Sequence, residues 1–227
     1  FDREKQGRGG VTVIRPKAIF FDFDGVLAES EDIKTNAFHR LYAPYGEAAW
    51  ARIGPYIQER AGISRVVKIA DCHQRFLGIS LTETELAALC EQYSADVVDR
   101  VIASNPIPGS MEFLEANKNE TPMYVVSGTP EDELRPIVQA RGLTGYFEGV
   151  FGSPKTKDVI VREVLAERGF GPDGCVFIGD APTDHRAAAD TGLYFIGRVG
   201  PGRDKLFPPG TVIIEDLCEL AVAIEGL

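Results

Sequence analysis

Hydrophobic positions along the chain follow two kinds of pattern, and the order of those patterns predicts the fold. Ala18-Ile19-Phe20-Phe21, Met123-Tyr124-Val125-Val126 and Cys175-Val176-Phe177-Ile178 are continuous apolar runs. They end at Asp22, at Ser127-Gly128 and at Gly179-Asp180 respectively. Short β-branched and aromatic runs of this kind suit strands buried on both faces, as in a parallel sheet. Tyr194-Phe195-Ile196 and Val212-Ile213-Ile214 read as further strands. Helical patterns stand between them. Thr129-Pro130-Glu131 offers an N-cap, a first-turn proline and an acidic first turn for a helix that Gly142 closes, with Pro136 expected to kink or split it. From Lys157 to Arg168, the residues Val159, Ile160, Val164 and Leu165 form one buried stripe that stops at Gly169, and Leu217 to Ile224 reads as a closing helix. Alternating strands and helices predict an α/β fold with a doubly wound, Rossmann-like parallel sheet.

Residues 30–105 break this rhythm. They hold no convincing strand, whereas 33–45, 48–60, 64–76 and 82–103 all show helical spacing, punctuated by Gly62 and Gly78. Pro106-x-Pro108-Gly109 marks the return to the alternating pattern. The expected organisation is therefore an α/β core from 1–29 and 106–227, interrupted by a helical insert at 30–105.

Composition narrows the partners. At 227 residues, with 44% hydrophobic and 26% charged positions, the chain can bury a full core and is neither disordered nor fibrous. A formal charge of −10 disfavours nucleic acid and anionic membrane surfaces, so an anionic ligand needs local cations. No apolar run approaches the ~18 residues of a membrane span. Cys72, Cys90, Cys175 and Cys218 contain no C-x-x-C pair, and His39, His73 and His185 are scattered, which points to reduced, packed thiols and away from zinc. The first ten residues carry both signs of charge and no apolar stretch, which predicts no signal peptide and a cytoplasmic protein.

Ligands of open α/β sheets bind beyond the carboxyl ends of the strands. The predicted strands deliver Asp22, Asp24, Ser127 and Asp180 to that edge, and Asp184 follows one helical turn later on the same side. Each alone is an ordinary turn or capping residue. Together, converging carboxylates need a cation to stay ionised, and an all-oxygen donor set favours Mg²⁺.

At this point the residues resemble the haloacid dehalogenase-like phosphohydrolases. The family's D-x-D-G-[TV]-L is similar to Asp22-Phe23-Asp24-Gly25-Val26-Leu27, and its apolar run ending in Ser or Thr is similar to Val125-Val126-Ser127-Gly128-Thr129. Its G-S-P-x-x-K resembles Gly152-Ser153-Pro154-Lys155-Thr156-Lys157, and its G-D-x-x-x-D resembles Gly179-Asp180-Ala181-Pro182-Thr183-Asp184. The four motifs occur in order from Ile19 to about Gly192. Two departures, Glu29-Ser30 and Asp190-Thr191-Gly192, lie outside the chemistry.

The resemblance implies a Mg²⁺-dependent phosphatase acting on a small phosphorylated metabolite. Asp22 would be the nucleophile and Asp24 the general acid and base. Ser127, with backbone N–H groups at Gly128 and Thr129, would hold the phosphoryl oxygens, and Lys157 would offset their charge. Asp22, the Asp24 main chain and Asp180 would bind the metal, with Asp184 orienting a ligand water or the lysine. Lys157 fits the motif register, and Lys155 reads as a solvated loop charge. The insert resembles the helical cap of phosphoglycolate-phosphatase-like and β-phosphoglucomutase-like members. Within it, Arg60-Ala61-Gly62-Ile63-Ser64-Arg65 resembles the loop that faces the active site, so Arg65 and Lys68 are the expected substrate contacts. His185 reads as a surface neighbour of Asp184, and Trp50 as cap core. Two alternatives remain: a phosphomutase using the same intermediate, and a non-catalytic binding module, against which the intact set of motif residues argues.

Overall fold

In the computed structural model, which describes residues 2–3, 14–203 and 207–227, a parallel sheet organises the chain. Most of the charged stretch 1–10 therefore lies outside the described residues. A short antiparallel pair, β1 (Asp2–Arg3) and β2 (Ile14–Arg15), precedes the sheet. The first sheet strand is β3 (Ala18–Phe21). It is followed by four successive helices, α1 (Glu31–Tyr42), α2 (Glu47–Glu59), α3 (Arg65–Cys72) and α4 (Glu83–Ala103). The chain then runs through α5 (Ser110–Asn117), β4 (Met123–Pro130), α6 (Glu131–Ala140), β5 (Gly149–Ser153) and α7 (Lys157–Arg168). It ends with β6 (Cys175–Gly179), α8 (Pro182–Thr191), β7 (Tyr194–Arg198), β8 (Val212–Ile214) and α9 (Leu220–Glu225).

The six strands lie in the order β5-β4-β3-β6-β7-β8, and every neighbouring pair is parallel. The chain winds outward from β3 in one direction and then crosses to wind outward in the other. The switch in strand order therefore falls at β3, where this class of sheet opens a crevice for ligands. Successive side chains of β3 face opposite layers, as the pleat requires. Ile19 and Phe21 join the core shared with α5, α6 and the helical segment, whereas Ala18 and Phe20 pack with residues of α7 and α8. Phe20 stacks between Tyr124 and Phe177 of the adjoining strands, at centroid distances of 5.2 and 6.4 Å.

The structure departs from the sequence pattern at several places. Val159, expected on the buried stripe of α7, is exposed, and Val161 takes its place against the sheet. β4 runs on through Thr129 to Pro130, so Thr129 belongs to the strand and is no N-cap. Pro136 sits inside α6 without splitting it. In a helix this short a proline forfeits one main-chain bond, and buried Leu134, Ile137 and Val138 hold the element to the sheet. β5 escapes the pattern because glycine occupies two of its five positions. Gly152 is required there: a Cβ would come within 2.3 Å of the Thr129 carbonyl oxygen on the next strand. The last helix begins as a 3₁₀ turn, Leu217–Glu219, before α9.

The helical segment holds its own packing. Phe38 of α1 meets Tyr93 of α4 at 4.5 Å, and Trp50 of α2 lies edge-on to His39 at 4.8 Å. Thr82 and Glu85 cap the start of α4 reciprocally. Its far end is held by the core, because Arg141 donates one nitrogen to the carbonyls of Val101, Ile102 and Ser104 at 2.7, 3.1 and 2.8 Å. A cation at a helix C-terminus both satisfies orphan carbonyls and complements the helix dipole. The two chain crossings run side by side, with Glu29 N–H donating to Asn105 O at 3.0 Å. No helix among the described residues is long and apolar enough to cross a membrane.

Arg141→Met keeps the aliphatic stem and removes the carbonyl partners. Urea unfolding is expected to show a loss of roughly 1–3 kcal/mol with an unchanged m-value. An unchanged midpoint would mean that water replaces the guanidinium at the end of α4.

Candidate active site

The carboxyl end of β3 puts Asp22 beside β6, where its N–H donates to Ile178 O at 2.9 Å. Its side chain is buried. Oδ1 accepts from the Phe23 N–H at 2.6 Å and Oδ2 from Lys157 Nζ at 2.7 Å. Lys157 opens α7 and is itself buried. The same ammonium donates to Asp184 on α8, whose other oxygen accepts from the Ala181 N–H at 3.0 Å. Burial acts to strip the proton from Lys157, but the carboxylates of Asp184 and Asp22 outweigh it and hold the ammonium firmly charged. Gly179 makes room for this bridge, since a Cβ there would come within 2.2 Å of Asp184 Cβ.

One ammonium does not balance the acids around it. Asp22, Asp180 and Asp184 each offer a carboxylate oxygen, all within 4.8 Å of one another. Burial, then the charges of Asp22, Glu31 and Asp184, push the Asp180 carboxyl well above the usual carboxylate range. Asp184 is also raised, first by burial and then by Asp22, with Lys157 working the other way. Such a surplus of buried oxygen donors, without sulfur or imidazole, fits a hard divalent cation.

Asp24 faces a different set of partners. Its Oδ1 accepts from Ser30 Oγ at 2.6 Å, and its Oδ2 accepts from Thr129 Oγ1 at 3.1 Å and from Lys34. Lys34 also donates to Thr129 Oγ1 at 2.7 Å. Burial raises the Asp24 pKa, yet the Lys34 charge and these hydrogen bonds outweigh it and hold the carboxyl below its ordinary range. Ser127 Oγ lies 3.5 Å from Asp24 Oδ2 and accepts from the Thr129 N–H at 3.1 Å.

The helical segment lies directly on this edge. Thr183 donates to Ala61 O at 3.2 Å, and Ser153 Oγ donates to Ser64 Oγ at 3.2 Å. The Gly62 carbonyl is seated so closely on Gly128 that a Cβ at 128 would come within 2.3 Å of it. Arg65 makes a two-pronged pair with Glu133 of α6, one prong at 2.7 Å, with both side chains about 10% exposed. Beneath this closure is a cavity of about 600 Å³. Asp22, Asp24, Ser127 and Asp180 form its floor, and Phe38, Ile63, Lys68 and Tyr93 its roof.

The expected residues thus meet at one place, with differences of detail. Asp22, Asp180 and Asp184 cluster, while the Asp24 side chain, expected to act as acid and base and not as a metal ligand, lies with Ser30 and Thr129. Arg65 lines the cavity while both of its terminal nitrogens are taken by Glu133, so it ties the helical segment to the core. Lys68 lines the cavity with its Nζ 5.0 Å from the Phe38 ring centroid. Lys155 is exposed on Glu163, as a solvated loop charge should be. His185 packs edge-on against Phe195 at 5.2 Å.

Sequence reasoning missed Lys34, Glu133, Glu31 and Arg198. The last is a buried arginine at the end of β7 that donates to Glu215 O at 2.9 Å and pairs with Glu29 at 3.3 Å. Only the close spacing of Glu31 and Lys34 behind the first motif could have hinted at the first and third of these, because that helix has to start at the sheet edge.

The geometry agrees with comparisons to known proteins. The profile of the family described as haloacid dehalogenase-like hydrolase matches residues 19–198, and the chain belongs to that family. Phosphoglycolate phosphatase 1 of Pseudomonas aeruginosa is 25% identical over 187 residues, covering 78% of this chain and 67% of that one. Validoxylamine A 7'-phosphate phosphatase of Streptomyces hygroscopicus subsp. limoneus is 25% identical over 218 residues, 90% of this chain and 95% of that one. Among solved structures, CbbY from Rhodobacter sphaeroides in complex with phosphate superposes with a TM-score of 0.72 at 21% identity, covering 93% of this chain and 100% of that one. β-Phosphoglucomutase from Clostridium difficile gives a TM-score of 0.72 at 18% identity, covering 90% and 93%, a likeness of fold.

The raised Asp180 pKa carries a stability cost with a definite sign. A carboxyl whose folded pKa lies above its unfolded value destabilises the fold once the pH exceeds the unfolded pKa, and the cost is full above the folded pKa. In chelator, Asp180→Asn should therefore stabilise the protein at pH 8 by roughly 1–3 kcal/mol and by much less at pH 5. Urea midpoints at the two pH values test this. Equal midpoints for variant and parent at pH 8 would show that Asp180 is not strained by its neighbours.

Proposed function

We propose that this protein is a Mg²⁺-dependent phosphatase that hydrolyses a phosphate monoester of a small metabolite through an aspartyl-phosphate on Asp22. The observation that carries the reading is Lys157 joined to Asp22 and Asp184 at a cavity floor that also holds Asp24 and Asp180. Asp22 and Asp180, with the Asp24 main-chain carbonyl, would hold Mg²⁺, and Asp184 positions Lys157. When bound, the ion offsets the charge of the phosphoryl group, which otherwise repels an anionic nucleophile.

Each residue then has a separate task. Lys157 neutralises the phosphoryl oxygens and keeps the Asp22 carboxylate pointed at the cavity. Ser127, with the N–H group at Gly128, orients those oxygens, and the Thr129 N–H fixes the Ser127 hydroxyl. Asp22 attacks phosphorus as the bond to the leaving oxygen breaks, and that oxygen takes a proton from Asp24. Water then attacks the acyl phosphate and loses its proton to Asp24, which restores the acid. With Lys34 beside it, Asp24 is a carboxylate, the form the second step requires. The negative charge of an arriving phosphate raises its pKa toward the form the first step requires.

The helical segment, as a cap over residues 30–105, excludes water and supplies selectivity, since the motif residues recognise only the phosphoryl group. The phosphatase relatives favour hydrolysis over transfer to a sugar. Four free cysteines agree with a reducing compartment, and we place the protein in the cytoplasm.

With Mg²⁺ present, a screen of phosphate esters should release inorganic phosphate, and chelator should stop it. Asp22→Asn should leave the fold intact and lower turnover by about 10³-fold or more. Turnover near the parent rate in a preparation free of deamidated protein would rule out the covalent route. Asp24→Asn should slow an alkyl phosphate far more than an activated aryl phosphate, because only the alkyl leaving group depends on the acid. Equal losses in chemistry-limited assays would mean that Asp24 has another role.

A further inference from the structure

Arg198 has no task in the chemistry set out above, although it borders the same cavity. It closes β7 and is buried. All three of its guanidinium nitrogens are engaged. Nε donates to Glu215 O at 2.9 Å, Nη1 to Gly25 O at 3.3 Å and Nη2 to Glu29 Oε1 at 3.3 Å. Nη1 also lies 3.8 Å from Glu31 Oε2. Gly200 covers the group so closely that a Cβ there would stand 3.1 Å from the guanidinium carbon. An arginine buried this deeply loses hydration that only well-placed partners return. Apart from Glu215, those partners all belong to the segment that leads from the end of β3 into α1.

Strand order gives this contact its meaning. The sequence β3-β6-β7 puts β6 between the two strands that the guanidinium joins, so the bond from Arg198 to Gly25 spans the end of β6. Asp180 stands at that end, directly after Gly179. Gly25 has a φ of +72°, a conformation that glycine adopts freely, and a Cβ there would overlap Asp180 Oδ2. The Gly25 backbone is therefore one wall of the slot that holds the Asp180 carboxylate. Main-chain bonds within the turn fix its shape, with Gly25 N–H donating to Ala28 O and Leu27 N–H to Phe23 O, both at 2.9 Å. Arg198 adds the tie that fixes the turn from the far side of Asp180. A shift of the turn moves this wall and also the Asp24 carbonyl, which immediately precedes it.

We infer that Arg198 is a positioning residue for the metal site, holding the Gly25 turn against Asp180 so that the Asp180 carboxylate and the Asp24 carbonyl are set before a divalent ion arrives. This rests on the Mg²⁺ site of the proposed function and adds to it a residue that binds neither ion nor ester in that scheme. Charge and geometry predict opposite effects for its removal. A guanidinium close to a cation site repels the ion, so by charge alone its loss would strengthen binding. By geometry its loss weakens binding, because groups that orient metal ligands commonly change ion affinity by about 10–100-fold.

The test titrates Mg²⁺ alone into ester-free protein and follows binding by calorimetry, with folding of each variant checked by circular dichroism. Arg198→Met should raise the Kd for Mg²⁺ by about tenfold or more. The Mg²⁺ concentration for half-maximal turnover should rise in parallel, while kcat at saturating Mg²⁺ stays within about threefold of the parent. A Kd equal to or lower than the parent's overturns the inference and leaves the phosphatase reading standing. So does a kcat at saturating Mg²⁺ that falls as far as the affinity, since Arg198 would then serve the reaction itself. Should Arg198→Met fail to fold, Gly200→Val keeps the charge and pushes the guanidinium out of place, and an unchanged Kd in that variant overturns the inference in the same way. A parent that binds no Mg²⁺ in the absence of ester also overturns it, and the chelator assay then shows separately whether the metal reading stands.

Discussion

A buried ammonium held between two buried carboxylates is the interaction around which this sheet edge is arranged. Lys157, Asp22 and Asp184 come from three different elements, and none is tolerable in the interior alone. Their mutual neutralisation sets where α7 and α8 start relative to β3. It also explains why Gly179 has no alternative, since any side chain would displace Asp184. Asp180 falls outside this balance. It is the acid left over, and under the proposed function the excess charge that burdens the metal-free fold is the charge that would receive a divalent ion. Stability and function pull in opposite directions at that residue.

The second constraint is that the roof must touch the floor without filling it. The loop at residues 61–65 does so through its main chain at Ala61 and Gly62, through a hydroxyl pair at Ser64, and through an ion pair at Arg65. Glycines face each other at Gly62 and Gly128, so the backbones approach as closely as backbones can. Lys34 completes the closure from α1, reaching both Asp24 and Thr129. The helical segment therefore supplies a cation to the carboxylate assigned as general acid, which couples the position of the roof to the chemistry beneath it.

How much of this was legible in the sequence depended on whether a residue's neighbours in space were also its neighbours in the chain. Asp22, Asp24, Ser127 and Asp180 stand at or just beyond the ends of apolar runs, with Asp184 one helical turn further on, and a parallel sheet brings the ends of such runs together whatever else the fold does. Lys157 was legible through its motif. Lys34 looked like one more charge on an amphipathic helix, and Glu133 one of three acids in a helical first turn. What distinguishes them is a partner about a hundred or seventy residues away, which no local pattern encodes. The same holds for β5, whose glycines weaken its strand signal because β4 lies against it. Pro136 misled for the opposite reason: local propensity argued against an unbroken helix that tertiary packing holds in place.

The Arg65–Glu133 pair joins the roof to the core at little net gain in stability. Two charges brought to about 10% exposure lose most of their hydration, and a single hydrogen bond would not restore it. The two-pronged geometry supplies two charge-assisted bonds at once, so the pair roughly balances its own desolvation instead of locking the roof shut. In a protein with a net charge of −10, where Lys34, Arg65, Arg198 and Arg203 at the cavity are each paired with an acid, little remains on the protein side to attract an anion nonspecifically.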